Sequence, residues 1–192
     1  MNKRSYVFLA DGLEEIEALT PIDVMRRAGM DLKTVSIVPD IMVTGAHGIP
    51  VKADQLFTDT EFNEPEWLIL PGGLPGSDNL AAYAPLSTLL KTHAAKGGKI
   101  AAICAAPAVV LGALGLLDGR ECTGYPGTQG AVEKAVWRDT PVVALDTLVT
   151  GAGPASALRF ALAIVANSMG ENIAQSIGSG MLFYPRSMNF YF

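Results

Sequence analysis

The sequence predicts an α/β fold with a mostly parallel central sheet, helices on both faces and a small β-hairpin excursion. Two patterns carry that expectation. Short apolar, β-rich runs alternate with longer amphipathic stretches, the order that parallel strands joined by crossover helices require. No repeat, linker or low-complexity segment interrupts the alternation, so residues 1–192 are expected to form one domain. The composition agrees: 49% apolar and 17% charged residues suffice to bury a core without a metal or a disulfide.

Residues 3–10 form an apolar run, as in a strand buried on both faces. A helical stretch follows to Ala28, with Gly29 as its stop. Pro21 divides it: either one helix kinks there, or Thr20 caps a separate helix. Residues 31–38 read as the second strand. Residues 41–53 carry two short β-rich pieces around Gly45-Ala46-His47-Gly48, hence the hairpin. Residues 66–71 are a strand, 85–96 a helix closed by Gly97-Gly98, 99–103 a strand and 107–117 a helix. Residues 142–150 are strand-like. Residues 154–169 form a nearly all-apolar helix stopped by Gly170, which the sheet, other helices or a second subunit must cover. The aromatic-rich tail, residues 181–192, is expected to pack on the body or on a partner subunit, since exposure would invite aggregation.

Several function classes are disfavoured at once. A net charge of −5 offers no basic stripe for a polyphosphate backbone, so nucleic acid is not expected as a direct stable partner. The two cysteines are too few for a disulfide framework, and with Cys104 in an apolar context they fit a reducing cytosol. The basic N-terminus leads into about six apolar residues before Asp11, short of a secretory core of roughly 7–15. The apolar run near Ala161–Ala166 is broken by Arg159 and Asn167 and is too short to span a bilayer. A cytoplasmic protein without a membrane segment is the expectation. No His or Cys pair shows zinc spacing, and neither a metal nor a cofactor is expected.

Ligands in open α/β sheets gather at the carboxyl ends of the strands. At one such end stands Ile103-Cys104-Ala105-Ala106-Pro107, where small neighbours allow a sharp turn and Pro107 suits a first helical turn. Backbone N–H groups and a helix dipole there favour the thiolate, as at the nucleophile elbow of hydrolases. The competing reading is a thiol that merely packs. At a second end, Leu70-Pro71-Gly72-Gly73 either turns the chain or lets backbone approach a substrate, with Gly73 and Ala105 N–H groups forming an oxyanion hole. A third, Thr150-Gly151-Ala152-Gly153-Pro154-Ala155-Ser156, is no dinucleotide fingerprint: Ser156 replaces the third glycine and Pro154 removes a donor. In Glu14-Glu15-Ile16-Glu17, helical spacing puts Glu17 on the apolar stripe of Leu13, Thr20, Val24 and Ala28, with Glu15 pointing nearly opposite. A buried carboxyl keeps its proton and can pass it on. His93 lies on an amphipathic helix and is expected to be solvated, and Cys122 to serve packing. No His follows Cys104, so a Cys-His-Glu order is absent.

These residues together resemble a known family. Ala10-Asp11-Gly12-Leu13-Glu14-Glu15-Ile16-Glu17 and Pro21-Ile22-Asp23-Val24-Met25-Arg26-Arg27-Ala28-Gly29 resemble the opening of the ThiJ/PfpI superfamily, closest to the bacterial members of its parkinsonism-associated branch. Leu70-Pro71-Gly72-Gly73, Ile103-Cys104-Ala105-Ala106-Pro107, Gly153-Pro154-Ala155-Ser156 and Phe160-Ala161-Leu162-Ala163-Ile164-Val165 continue the match along nearly the whole chain. The resemblance implies a flavodoxin-like three-layer sandwich and a homodimer. It implies Cys104 as nucleophile, Glu17 as its protonated partner, Gly73 and Ala105 as the backbone donors facing the sulfur, and Gly72, Tyr125 and Pro154 as lining of the site. Where the animal branch has a histidine near the thiol, this chain has Tyr125, which shifts the proton work to Glu17. The implied activity is glutathione-independent conversion of methylglyoxal-type α-oxoaldehydes, or of their early adducts, by an oxidation-sensitive thiol. The alternative is a non-catalytic redox sensor or redox-regulated holdase. A peptidase reading comes third, because no histidine follows Cys104 to protonate an amine leaving group.

Overall fold

The alternation resolves into a seven-stranded sheet between two helical layers, and the computed structural model describes residues 3–183. The strands are β1 (Ser5–Leu9), β2 (Leu32–Ser36), β3 (Met42–Thr44), β4 (Pro50–Lys52), β5 (Gln55–Leu56), β6 (Trp67–Leu70), β7 (Lys99–Ile103), β8 (Glu121–Cys122), β9 (Val136–Trp137), β10 (Val142–Leu145) and β11 (Leu148–Gly151). The α-helices are α1 (Glu15–Arg27), α2 (Gly76–Ala82), α3 (Ala84–Ala95), α4 (Ala157–Met169) and α5 (Glu171–Gly180). The sheet order is β10-β11-β7-β6-β1-β2-β5, parallel throughout except for the antiparallel edge strand β10. The β3–β4 hairpin is the expected excursion, and β8–β9 is a small parallel pair beside the sheet.

Strand alternation divides the core in two. Val7, Leu9, Trp67, Ile69, Ala101 and Ile103 face α1, α4 and α5, where Ala18, Val24, Phe160, Ala161 and Ile164 meet them. Tyr6, Phe8, Leu68, Leu70, Ile100 and Ala102 face α2, α3 and the segment after β7, packing on Leu80, Leu86, Leu90 and Leu111. The sheet and other helices thus cover α4, as its all-apolar sequence demands. Trp67 Nε1 also donates to Ser168 Oγ at 2.7 Å, tying the centre of the sheet to the end of that helix.

Three local expectations change, and of the two readings at Pro21 the single helix holds. Residues 142–150 are two strands, with Asp146-Thr147 as the reversal between Leu145 and Leu148. Gly170 ends α4 but also begins α5. Pro21 starts no new helix: α1 runs through it, forgoing the bond that its N–H would give the Glu17 carbonyl. The helix after Cys104 is π-helical over Pro107–Gly112. Of the aromatic tail, residues 184–192 lie outside the described residues.

What this architecture does for chemistry is simple. The neighbouring strands β11, β7, β6 and β1 run parallel, so the loops after their carboxyl ends converge on one rim.

Candidate functional site

Cys104 is the first residue after β7 and has a left-handed backbone, with φ of +64°. A residue with a Cβ adopts that conformation only at a cost of about 1–3 kcal/mol, which the surroundings must offset. Two bonds do so: its N–H donates to Gly151 O at 2.9 Å, and its carbonyl accepts from Tyr125 N–H at 2.7 Å. The loop carrying Tyr125 is itself pinned by Thr123 N–H donating to the Thr150 hydroxyl at 2.9 Å. The strand end therefore grips Cys104 from both sides, and the residue is left 8% exposed.

Gly72 and Gly73, after β6, close the third side. A Cβ on Gly72 would strike Glu17 Oε2, Cys104 Cβ and the Ile103 carbonyl, so only glycine lets carboxyl and thiol meet there. Gly73 has φ of +93°, and a Cβ on it would collide with the backbone of Gly12, Leu13 and Glu14. That crowding reflects a clip: Glu14 N–H donates to Gly72 O at 2.9 Å, while the Glu14 carboxylate caps α1 by accepting from Glu17 N–H at 2.7 Å. Glu17 is fully buried, and its Oε2 accepts from Gly72 N–H at 3.0 Å. Its Oε1 has no hydrogen-bond partner among the described residues, and the Cys104 thiol lies near enough to the carboxyl to act on it.

The electrostatics differ from the sequence expectation in one respect. Burial pushes Glu17 up to about 7, with the Glu14 carboxylate adding to it and the thiol and the Gly72 N–H opposing. Burial also pushes the Cys104 thiol up, to about 12, and the negative charge of Glu17 contributes. The Gly73 and Ala105 N–H groups both pull the sulfur downward, as anticipated, but desolvation outweighs them. The two groups thus share one proton over a wide range and titrate as a pair. Carboxylate with thiol and carboxylic acid with thiolate carry the same net charge; burial of the sulfur favours the first arrangement, and the two N–H groups pull toward the second.

Cys104, Glu17, Gly72, Gly73 and Ala105 come together as the sequence anticipated. Tyr125 and Pro154 stand slightly apart, on the wall of a cavity of about 950 Å³ beside the strand ends. Tyr125 is 51% exposed, its ring against Gly153. Three titratable residues fall elsewhere or behave differently. His93 is buried, not solvated: its ring fills the space left by the missing side chain of Gly98 and meets Lys99 O at 3.1 Å. Glu15 points away from Glu17 as expected, but into the hairpin and not into water. It is 4% exposed, Oε1 accepts from His47 N–H at 2.8 Å and Oε2 meets His47 Nδ1 at 2.6 Å. Burial alone would raise it, yet the bonds from His47 and Ile49 hold it below the usual carboxylate range, while the same contact raises His47. Cys122 is fully buried and its thiol is pushed up to about 11 by desolvation alone, which suits packing. Among the described residues, Glu14, Glu15 and His47 bring carboxylate and imidazole atoms within 4.8 Å of one another, but both Glu15 oxygens already serve His47.

Sequence reasoning missed the cap on α1 and the Thr150 clamp. The cap had a signal, a carboxylate three residues before Glu17; the clamp had none.

Comparison with known proteins shows the family of the chain. Residues 3–167 match the DJ-1/PfpI family. The chain is 34% identical over 167 residues to the glutathione-independent glyoxalase DJR-1.2 of Caenorhabditis elegans, covering 85% of this chain and 87% of that one. It is 34% and 33% identical to the DJ-1 homologs A and B of Arabidopsis thaliana but spans only 46% and 42% of their lengths. Among solved structures, Drosophila melanogaster DJ-1beta superimposes with a TM-score of 0.91 at 32% identity, covering 96% of this chain and all of that one. Oxidized Toxoplasma gondii DJ-1 superimposes with a TM-score of 0.89 at 36% identity, covering 94% and 98%.

Proposed function

Because the chain belongs to the DJ-1/PfpI family, we propose that it is a cysteine-dependent, glutathione-independent enzyme acting on methylglyoxal-type α-oxoaldehydes or their early adducts. The observation that carries the reading is the buried pair, Cys104 and Glu17, brought together over Gly72. The thiolate adds to the aldehyde carbon, and the Gly73 and Ala105 N–H groups, freed from the sulfur as it loses its charge, receive the new oxyanion. Glu17, holding the proton that left the thiol, passes it to that oxygen, and as carboxylate it then takes the proton from the carbon and returns one to the neighbouring carbon through an enediol. The aldehyde carbon is thereby oxidised to a thioester and the ketone reduced to an alcohol, with no outside electron carrier. Water then releases the 2-hydroxy acid and regenerates Cys104. A carboxyl raised to about 7 is suited to both proton transfers at neutral pH.

The test is lactate formation from methylglyoxal without glutathione, by wild type, Cys104→Ser and Glu17→Gln. Multiple turnover by the wild type alone supports the reading. Full activity in Glu17→Gln removes the proton shuttle.

A second reading, a redox sensor or holdase, draws on the same cradle: two N–H groups and a proton-bearing carboxyl also suit a cysteine sulfinate. Two equivalents of peroxide supply its oxygens and leave as water. Mass gain at Cys104 without aldehyde turnover supports this alternative. We also propose a homodimer. Ile16 and Leu19 of α1 are exposed, as are Met42 and Ile49 of the adjoining hairpin, an apolar surface that a second copy would cover. Ile16→Glu is expected to give monomers in sedimentation velocity, and an unchanged sedimentation coefficient would refute that face.

A further inference from the structure

The cavity beside Cys104 is too large for a three-carbon substrate. Its volume of about 950 Å³ lies at the upper end of the roughly 300–1,000 Å³ of pockets that hold drug-sized ligands. Its walls are the two loops that hold the Cys104 backbone. Tyr125, whose N–H holds the Cys104 carbonyl, forms one wall, and the chain from Gly151, whose carbonyl holds the Cys104 N–H, runs on through Gly153 and Pro154 as another. Trp137 supplies an apolar side, and three charged side chains complete it: Arg138, Asp139 and Arg159. Arg138 is committed to Glu121 in an ion pair. Arg159 forms no ion pair among the described residues. It lies 5.8 Å from the centroid of the Phe183 ring, a contact that leaves its donors available.

Resting on the α-oxoaldehyde reading, we infer that this cavity selects substrates whose reactive carbonyl carries an anionic arm, with Arg159 as the residue that recognises it. The substrate class is an α-oxoaldehyde bearing a distal carboxylate. A planar guanidinium pairs with a carboxylate through two parallel bonds, while the aromatic walls accept the methylenes between. The chemistry at Cys104 is unchanged: the aldehyde carbon is oxidised to a carboxylate, the ketone reduced to an alcohol, and one water consumed. From 4,5-dioxopentanoate the product is 2-hydroxyglutarate.

Kinetics with methylglyoxal, 4,5-dioxopentanoate and the methyl ester of the latter test this in wild type, Arg159→Gln and Arg159→Lys. The wild type is expected to prefer acid over ester about tenfold in kcat/KM. Arg159→Gln loses that preference, Arg159→Lys keeps part of it, and methylglyoxal turnover is the same in all three. Equal use of acid and ester by the wild type, or an undiminished preference in Arg159→Gln, overturns the inference. Absence of any turnover sinks the enzymatic reading instead. In that event the anion site is read separately, by quenching of tryptophan fluorescence with glutarate. Saturable quenching lost in Arg159→Gln supports the site, and no quenching, or equal quenching in both proteins, overturns it.

Discussion

Glu17→Gln preserves the shape of the buried side chain and removes its titration, so it isolates what the raised carboxyl does to stability. Below pH 4.5 the carboxyl is protonated in both folded and unfolded chains, and its contribution is fully present. Between 4.5 and about 7 the unfolded chain has released the proton while the folded chain holds it, so stability falls as pH rises. The gap between 4.5 and about 7, at roughly 1.36 kcal/mol per pH unit, is about 3 kcal/mol. Cys104, whose titration the substitution also changes, titrates above this interval, and the remaining groups are common to both proteins and cancel in the difference. Urea unfolding followed by circular dichroism at pH 4 and pH 8, at one protein concentration, measures it. The stability of Glu17→Gln relative to wild type should rise by about 3 kcal/mol across that interval, or about 6–12 °C in Tm for a chain of this size. A difference that stays constant with pH, or grows toward acid, would refute the assignment of a raised value to Glu17.

Three further outcomes follow from the same geometry. In Glu17→Gln the Cys104 thiol should titrate below the wild-type value of about 12, because the adjacent negative charge is gone, yet above 9 because burial remains; absorbance at 240 nm against Cys104→Ser reports it. Gly72→Ala forces a methyl into Glu17 and Cys104 and should cost about 1–3 kcal/mol in urea unfolding, with slower alkylation of Cys104 by iodoacetamide; a neutral effect on both would mean that the carboxyl and thiol do not meet there. Glu15→Gln should return the His47 ring toward its ordinary value of 6.5 in an NMR titration, and an unmoved titration would show that the hairpin is not held by this pair.

The strands that carry the site were legible because their signals are local. Residues 99–103 were delimited correctly by the turn before Lys99 and the small residues after Ile103. The helical stripe also identified Glu17 as the buried carboxylate, since a face is fixed by spacing alone. The burial of Glu15 was not legible, because it comes from a hairpin more than thirty residues away, which no local pattern records. The same limit explains His93, covered by Lys99 and Gly98 once α3 turns into β7. Asp146-Thr147 carries no glycine or proline, so the hairpin of β10 and β11 read as one strand. Gly170 was read as an ending, which it is, but a residue at φ of +93° can also begin the next helix. The thiol was misjudged in degree: sequence shows the donors around Cys104, whereas desolvation is set by everything packed above them.

The left-handed turn at Cys104 has an evolutionary consequence. Among the twenty residues, glycine is the one that occupies φ of +64° without penalty, so a drift from Cys104 to glycine would relax the backbone at the proposed nucleophile. Stability alone therefore pushes this position away from its chemistry. A cysteine persists there as a standing cost to folding, and a lineage released from the need for the thiol should lose it early, through a mutation that makes the protein harder to unfold.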